Sequence, residues 1–288
     1  MPELVLRGGE LDGLTLHYVV EGVGPSVILV HGLGGFAESW RHNVPELGRQ
    51  AAVYALDLPG FGQSSKPLRP YSLDFFVRVL EGFRAALELN RPALVGHSLG
   101  GAVAAAHALA HRGKVDRLVL IGAAVPGFDY RPSWVYRFLA VRGIGEVCAR
   151  LLWPGLLRAA LSRCFAEPAP AEVDFLVRSS YGARTSPEGQ AAFLSTIRAV
   201  RDDFRRDGDR YRKALLLLDL PVLVIHGRQD PVVRQAHAET VTRAISNATL
   251  RLADRCGHFP QIERAALVNE WLAEFIGEAR WTRSHRRS

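Results

Sequence analysis

GHSLGG, at residues 96–101, follows the apolar run Ala93–Val95 and precedes a long helical pattern. A G-x-S-x-G segment in that context predicts a sharp turn from a strand into a helix, with its central residue in a strained backbone conformation. Gly96 and Gly100 are expected because a Cβ atom at either position would collide with the neighbouring element. The turn lifts the Ser98 hydroxyl group clear of the sheet and makes it a candidate nucleophile. The structural alternative is an ordinary serine at a glycine-rich helix start.

A serine nucleophile needs a general base, because an ordinary hydroxyl group attacks poorly. Of the ten histidines, His258 is the best placed, in the loop Ala253–Pro260 between the last expected strand and the last expected helix. That loop falls at the carboxyl edge of the sheet, where the Ser98 turn also lies and where open α/β sheets place their sites. We therefore predict His258 as the base. The alternative is a surface histidine.

A catalytic triad also needs a carboxylate that orients the histidine. In the chain order Ser, Asp, His, this carboxylate should lie between Ser98 and His258. Asp230 directly follows the expected strand Val222–Ile225, in the segment HGRQDP. It would accept the imidazole N–H, fix the tautomer and stabilise the imidazolium. An aspartate before proline also starts turns. The competing carboxylate, Asp129, lies several residues beyond the preceding strand, so Asp230 is the predicted partner of His258.

An oxyanion hole needs two backbone donors near the serine. One should be the amide of Leu99, and the other the amide of Leu33, in the loop HGLGGF at residues 31–36. The glycines of that loop let the backbone turn inward, and His31 is expected to support the loop rather than titrate. The segment DLPGFGQS from Asp57 is interpreted as a structural turn. Cys256 is not a candidate nucleophile, since no separate histidine accompanies it.

Short β-branched runs alternate with helical patterns, which predicts a mostly parallel central sheet flanked by helices. This alternation of strand and helix patterns stops between Ile121 and Val222, where the chain is longer than one crossover helix requires. That stretch has a helical pattern with many aromatic residues, and we interpret it as a cap over the end of the sheet. The predicted domains are an α/β core at 1–126 and 215–278, a helical cap at 127–214, and a basic C-terminal tail at 279–288.

Composition favours a globular protein: 48% of the 288 residues are hydrophobic and 23% are charged. The net charge of +7 is concentrated in the tail and in Arg201–Lys213, where mixed signs indicate a solvated helix face. No nucleic-acid motif accompanies either stretch, so nucleic-acid binding is not predicted. The chain also shows no membrane span and no secretory signal at residues 1–13. Reduced thiols in a cytoplasmic protein are expected at the three cysteines, Cys148, Cys164 and Cys256.

Taken together, these motifs resemble the α/β-hydrolase superfamily over residues 26–277. The resemblance rests on the loop at 31–35, the segment at 57–64, the elbow at 96–101, and the acid and histidine motifs at 227–230 and 257–258. Haloalkane dehalogenases and epoxide hydrolases of this superfamily have Asp at the elbow, which Ser98 argues against. Carbon–carbon bond hydrolases tend to show HGxGPG and a Trp after the histidine, where this chain has Gly35-Phe36 and Phe259.

The resemblance implies acyl transfer from a small-molecule carboxylic ester to water, with no metal and no organic cofactor. Aromatic side chains of the cap and its surroundings are expected to bind an apolar part of the substrate, although they could equally pack the cap core: Phe128, Trp134, Phe138, Trp153 and Phe259. One alternative is a carbon–carbon hydrolase of vinylogous diketones. An alternative of another class is a receptor that keeps the triad and uses the pocket for a ligand.

Overall fold

In a computed structural model, the backbone is described for residues 2–128 and 134–284, and the side chains for residues 2–128 and 135–277. Within these ranges, eight strands form one sheet in the order β1-β2-β4-β3-β5-β6-β7-β8. β2 is antiparallel to β1 and β4, and the other pairs are parallel. The strands are β1 Glu3–Val5, β2 Thr15–Glu21, β3 Ser26–Val30, β4 Ala52–Leu56, β5 Ala93–His97, β6 Arg117–Ile121, β7 Val222–Gly227 and β8 Ala248–Ala253.

Both faces of the central strands are buried, as the continuous apolar runs predict. Alternate side chains of β3 enter different cores. Ile28 and Val30 join the larger core, whereas Val27 and Leu29 join the smaller one around Trp40. This fixes the register of the sheet and therefore the position of every strand end.

Helices cover both faces of the sheet. Between β3 and β4 the chain forms a 3-10 turn, Ala37–Trp40, followed by a short α-helix with Pro45 in its first turn. Proline is tolerated there because its missing N–H would have no partner inside the helix. The helices are α1 Val44–Gly48, α2 Leu73–Ala86, α3 Leu99–Ala110, α4 Trp134–Leu139, α5 Ile144–Arg150, α6 Pro154–Ser162, α7 Pro170–Thr185, α8 Pro187–Leu215, α9 Gln235–Ala244, α10 Pro260–Glu263 and α11 Ala265–Ser284.

Helices α4–α8 lie between β6 and β7, in the stretch where the sequence analysis places a cap. A third apolar core joins α6 and α7 to the sheet domain. In it, Leu161 and Leu176 pack with Phe36, which follows the predicted oxyanion loop, and with Ile262 of α10. The cap is thereby fixed to the same two loops that carry candidate site residues. Among the described residues, no helix combines the length and apolar character needed to cross a bilayer.

Asp57 has the structural role that the sequence analysis assigns to it. It is fully buried at the end of β4 and accepts hydrogen bonds from the amide groups of Ala37 and Gln63, at 2.5 and 2.8 Å. His17 Nδ1 lies 2.7 Å from its second oxygen, and this hydrogen bond raises the pKa of His17. The carboxylate therefore joins β2, the turn after β4 and the segment after the loop at residues 31–36.

The close approach of α3 to β3 generates a prediction about stability. A Cβ atom on Gly100 would lie 2.2 Å from the carbonyl oxygen of Val30, a backbone atom that cannot move aside. Gly100→Ala should therefore lower the free energy of unfolding by about 3 kcal/mol, as overpacking does. The measurement is urea unfolding followed by circular dichroism.

The matched control is Gly182→Ala in α7, where an added Cβ atom meets nothing within 4 Å. Alanine is a better helix former than glycine, so this variant should gain up to about 1 kcal/mol. Equal stability of the wild type and Gly100→Ala would show that the elbow does not need this close contact.

Candidate active site

Ser98 occupies the turn between β5 and α3 in a strained conformation, with φ 53° and ψ −116°. Few residues other than glycine adopt a positive φ, so the surroundings must hold it in place. A Cβ atom on Gly96 would lie 2.3 Å from the carbonyl oxygen of Gly100, which explains the glycine on this side of the elbow. The strained turn places Ser98 Oγ at the carboxyl edge of the sheet, as the sequence predicts.

His258 and Asp230 meet Ser98 at this edge. His258 Nε2 lies 3.0 Å from Ser98 Oγ, and His258 Nδ1 lies 2.8 Å from Asp230 Oδ2. With Nδ1 protonated, the imidazole donates to the carboxylate and Nε2 is free to accept the serine proton. The three residues predicted from the sequence are therefore in hydrogen-bond contact, in the geometry of a Ser-His-Asp triad.

Asp230 is held in its charged form. Its other oxygen, Oδ1, accepts hydrogen bonds from the amide groups of Val232 and Val233 at 2.7 and 2.9 Å. Burial alone would raise the pKa of Asp230, but the imidazole of His258 and the amide hydrogen bonds outweigh burial and lower it. The carboxylate thus stays ionised and stabilises positive charge on His258.

A second histidine, His97, supports the first. His97 Nε2 donates to the carbonyl oxygen of His258 at 2.7 Å, and the two rings are 4.8 Å apart. Burial, together with the neighbouring His258, lowers the pKa of His97 to about 3. His97 therefore stays neutral and does not repel a protonated His258. The amide of His258 donates to the carbonyl oxygen of Cys164 at 2.7 Å, which also ties the histidine loop to the cap.

The predicted oxyanion donors border the same space. Leu33 and Leu99 line one cavity together with Ser98. In the described part of the chain, neither amide donates a hydrogen bond to another residue, so both are available to a ligand. His31 supports the loop as expected, because its Nδ1 donates to Gly32 O at 2.7 Å and its Nε2 accepts from the Leu58 amide at 3.0 Å.

The cavity above Ser98 has a volume of about 650 Å³. Phe128 lines it, as predicted, but most of the wall comes from the cap helices α4 and α8. The residues of α8 follow helical spacing, a signal that the sequence analysis attributed partly to a solvated face. The apolar wall comprises Leu33, Leu99, Ala124, Phe128, Ile197, Val200, Phe204 and Val232.

Three of the other predicted substrate contacts are not among the residues that line this cavity. Phe138 and Trp153 are 54% and 57% exposed and do not line the cavity, because the outer faces of the cap helices carry them. Phe259 packs instead against Phe165 and His97, with ring centroids 5.1 and 5.2 Å apart. The side chain of Trp134 lies outside the described residues. Amphipathic spacing shows that a helix has an apolar face, but not which neighbour covers that face.

Guanidinium groups form the polar part of the cavity wall. Arg137, Arg201, Arg205 and Arg206 line it, against the single described carboxylate of Asp209. Three of these side chains are engaged with others of α8: Arg201 with Asp202, Arg206 with Asp203 and Asp207, and Asp209 with Arg212. Arg137 and Arg205 form no ion pair with a described residue, so the wall has an excess of positive charge, which favours an anionic ligand.

Another arginine lies half-buried beside the oxyanion loop, outside the lining of this cavity. Arg184 donates to the carbonyl oxygen of Gly34 at 2.8 Å and lies over the ring of Phe193, and no described carboxylate pairs with it. Burial lowers the pKa of Arg184, while its neighbour Tyr136, which lines the cavity, acts in the opposite direction. Arg184 thus holds the oxyanion loop in place through its hydrogen bond to Gly34.

Among the described residues, the cluster best suited to a metal ion lies elsewhere. Glu81, His107 and His111 bring three potential ligand atoms within 4.8 Å of one another, near the far end of α3 from Ser98. The carboxylate of Glu81 is already bound by Arg84 and Lys114 at 2.7–2.9 Å. The positive charges of Arg84 and Lys114 would repel a metal cation, so this cluster is better explained as an ion-pair network.

Cys256 is unsuited to nucleophilic catalysis. Its side chain is fully buried, and burial raises the pKa of its thiol above the usual range. The nucleophilic form of cysteine is the thiolate, which burial disfavours. The interpretation of Ser98 rather than Cys256 as the candidate nucleophile therefore agrees with the structure.

Comparisons with known proteins agree with the fold. Residues 25–265 match the family of the alpha/beta hydrolase fold. A meta-cleavage product hydrolase from Pseudomonas fluorescens IP01 superposes with a TM-score of 0.79 at 30% identity, over 97% of this chain and 98% of that one.

Two of the similar curated proteins are hydrolases with related substrates. A 2-hydroxymuconate semialdehyde hydrolase from Pseudomonas sp. strain CF600 is 31% identical, over 93% of this chain and 92% of its own length. A 2-hydroxy-6-oxo-2,4-heptadienoate hydrolase from Pseudomonas putida is 33% identical, over 94% of this chain and 95% of its own length. Both names describe dienoate compounds or their semialdehydes, rather than simple esters.

The role of Asp230 can be tested by Asp230→Asn, which keeps the shape of the side chain and removes its charge. The amide would favour the wrong tautomer of His258 and would not stabilise the imidazolium, so kcat should fall by about 10⁴-fold with the fold intact. The measurement is steady-state turnover together with circular dichroism. The control is Asp254→Asn, at an exposed position outside the triad, and an unchanged rate in Asp230→Asn would rule out its proposed role.

Proposed function

Because the chain belongs to the α/β-hydrolase fold family, we propose that it is a serine hydrolase that cleaves a carbon–carbon bond of a 2-hydroxy-6-oxo-dienoate. The similarity to hydrolases of this substrate type supports the reaction. The structural observation that supports this substrate class is the cationic wall of the cavity, because a dienoate has a carboxylate at one end. Carbon–carbon cleavage therefore ranks ahead of the ester hydrolysis expected from the sequence.

The proposed reaction begins with a proton shift. A carbon–carbon bond breaks hydrolytically only if the electron pair that it leaves behind is stabilised. When the proton of the 2-hydroxyl group moves to carbon 5, a 2-oxo group forms that is conjugated with carbons 3 and 4. An electron pair left on carbon 5 can then delocalise to the oxygen at carbon 2. The substrate thus supplies its own electron sink, and the protein has to hold it in position.

Ser98 then attacks the carbonyl group at carbon 6 while His258 takes the serine proton. The amides of Leu33 and Leu99 hold the resulting oxyanion. The bond between carbons 5 and 6 breaks, its electron pair delocalises to the oxygen at carbon 2, and His258 returns a proton to the released hydroxydienoate. Water, activated by His258, hydrolyses the acyl-Ser98 ester to a carboxylic acid and restores the hydroxyl group. The sum is one substrate and one water converted to two products.

The two parts of the cavity fit the two ends of such a substrate. The apolar wall near Ser98, with Phe128, Ile197 and Val200, suits the substituent on carbon 6. Arg137, Arg201 and Arg205 offer charge-assisted hydrogen bonds to the carboxylate. A neutral ester would leave Arg137 and Arg205, which form no ion pair with a described residue, without a charged partner.

The reaction class is tested with wild type and Ser98→Ala on two substrates, 2-hydroxy-6-oxo-2,4-heptadienoate and p-nitrophenyl acetate. The wild type should have the higher kcat/KM on the dienoate, followed by loss of the absorbance of the conjugated chain. Removing the nucleophile should lower turnover by about 10⁴-fold or more. Faster turnover of the acetate would restore the esterase interpretation. Tight dienoate binding without turnover of either compound, by the folded wild type, would favour the receptor.

The carboxylate contact is tested separately, with Arg201→Gln combined with Arg205→Gln. The variant loses hydrogen bonds to a charged carboxylate, which weakens binding, so KM for the dienoate should rise about tenfold or more. KM for the uncharged p-nitrophenyl acetate should not change. Arg210→Gln is the matched control, because Arg210 is exposed on the same helix and does not line the cavity. An equal rise in KM for both substrates would contradict carboxylate recognition.

A further inference from the structure

The outer face of the cap exposes an unusual number of large apolar side chains. More than half of the large apolar side chains that are exposed in the described residues lie within one stretch of 22 positions, 135–156. Leu151 and Trp153 are 63% and 57% exposed. Scattered exposed apolar residues are normal on a protein surface, whereas a concentration of them marks an interaction site. We call this set the outer cap face: Val135, Phe138, Val141, Ile144, Val147, Leu151, Trp153 and Leu156.

The pattern on α5 shows that this exposure is organised. Ile144, Val147 and Leu151 are spaced by three and four residues, so they form one stripe along the helix. Gly145 lies on the opposite side and is buried, close to Leu194 of α8. The inward side of α5 thus packs on the cap while its apolar stripe faces outward.

Positive charges accompany the outer cap face. Arg142, Arg150 and Arg163 are exposed within or next to it, and none forms an ion pair with a described residue. The acidic side chain in the same stretch, Glu146, is bound by Arg198 at 2.8 Å. Apolar side chains that include a tryptophan, together with unpaired arginines, are typical of segments that lie in the interface of an anionic bilayer.

We propose that the outer cap face docks onto the surface of an anionic phospholipid membrane. The charge pattern favours this occupant over a second copy of the chain. A twofold contact places the same patch on both partners, so the arginines of one copy would face those of the other. A phosphate-bearing surface instead attracts each of them. Surface docking needs no spanning helix, and the proposal is independent of the proposed reaction.

The same helix connects this face to the cavity. In α4, Tyr136 and Arg137 line the cavity, whereas Val135 and Phe138 are exposed. Docking would therefore bring the cap side of the cavity close to the lipid headgroups.

The test is flotation of the full-length protein with vesicles of phosphatidylcholine and phosphatidylglycerol, compared with phosphatidylcholine alone. Wild type should float with the mixed vesicles at low salt, and rising salt should release it because it screens the arginines. Fluorescence of Trp153 should shift to shorter wavelength on binding. Trp153→Phe should remove most of this shift while the protein still floats.

The decisive variant replaces Phe138, Val147 and Leu151 with serine, at exposed positions that carry no part of the site. It should lose flotation and keep wild-type turnover of p-nitrophenyl acetate or the dienoate, which shows that it is folded. The control replaces with serine Val23, Leu68 and Leu217, which are more exposed and lie elsewhere on the surface, and this variant should float like wild type. Arg142→Gln and Arg150→Gln should each weaken partitioning about fivefold.

Three results would overturn the proposal. Wild type could remain unbound at low salt, or the serine variant could float as well as wild type. The third result is a change in oligomeric mass of the serine variant, measured by light scattering, while neither the variant nor the wild type binds vesicles. That result would assign the outer cap face to a second copy of the chain.

Discussion

The contact of two backbone segments at the start of α3 determines the arrangement of the site. Gly100 lies so close to the carbonyl oxygen of Val30 that a side chain would not fit, and this contact sets the position of α3 against β3. Because Ser98 directly precedes the helix, the same contact holds it in its strained conformation. The amide of Leu99 then points from the first turn of the helix, and the loop after β3 supplies Leu33 opposite to it. Nucleophile and oxyanion donors thus depend on one backbone packing arrangement.

The histidine loop is held from four sides, and this couples the cap to the chemistry. Asp230 and His97 bind His258 from the sheet domain, and the carbonyl oxygen of Cys164 binds its amide from the cap. Glu263 strengthens the connection, because its carboxylate accepts hydrogen bonds from the amide of Gly257 in the histidine loop and from the amide of Ala166 in the cap. A displacement of the cap would therefore move the base relative to Ser98. The cap forms part of the frame that orients His258, in addition to covering the cavity.

The sequence predicts the triad well because each member lies in the turn or loop that follows a strand, and parallel strands end at a common edge. It predicts the cavity poorly for a physical reason. Phe138, Trp153 and Phe259 have the composition of a binding pocket, but the cap packs through Leu161 and Leu176 on Phe36 and Ile262, which turns two of them outward. The arginines of α8 were interpreted as solvent-facing, although Arg201 and Arg205 complete the cavity wall. Long-range packing determines the orientation of these side chains, and the spacing of residues along the sequence does not reveal it.

The triad alone does not distinguish an ester from a carbon–carbon bond, because both begin with attack of a serine on a carbonyl group. The difference lies in the leaving group. An alkoxide needs only a proton from His258, whereas a carbanion must be stabilised before the bond breaks. On the proposed function, that stabilisation comes from the conjugated 2-oxo group, and it depends on holding the distant carboxylate so that the chain stays extended. The determinants of reaction type are then the arginines of the cavity wall. This is why motifs around the nucleophile, including Phe259 after the histidine, indicate an ester while the cationic wall favours the dienoate.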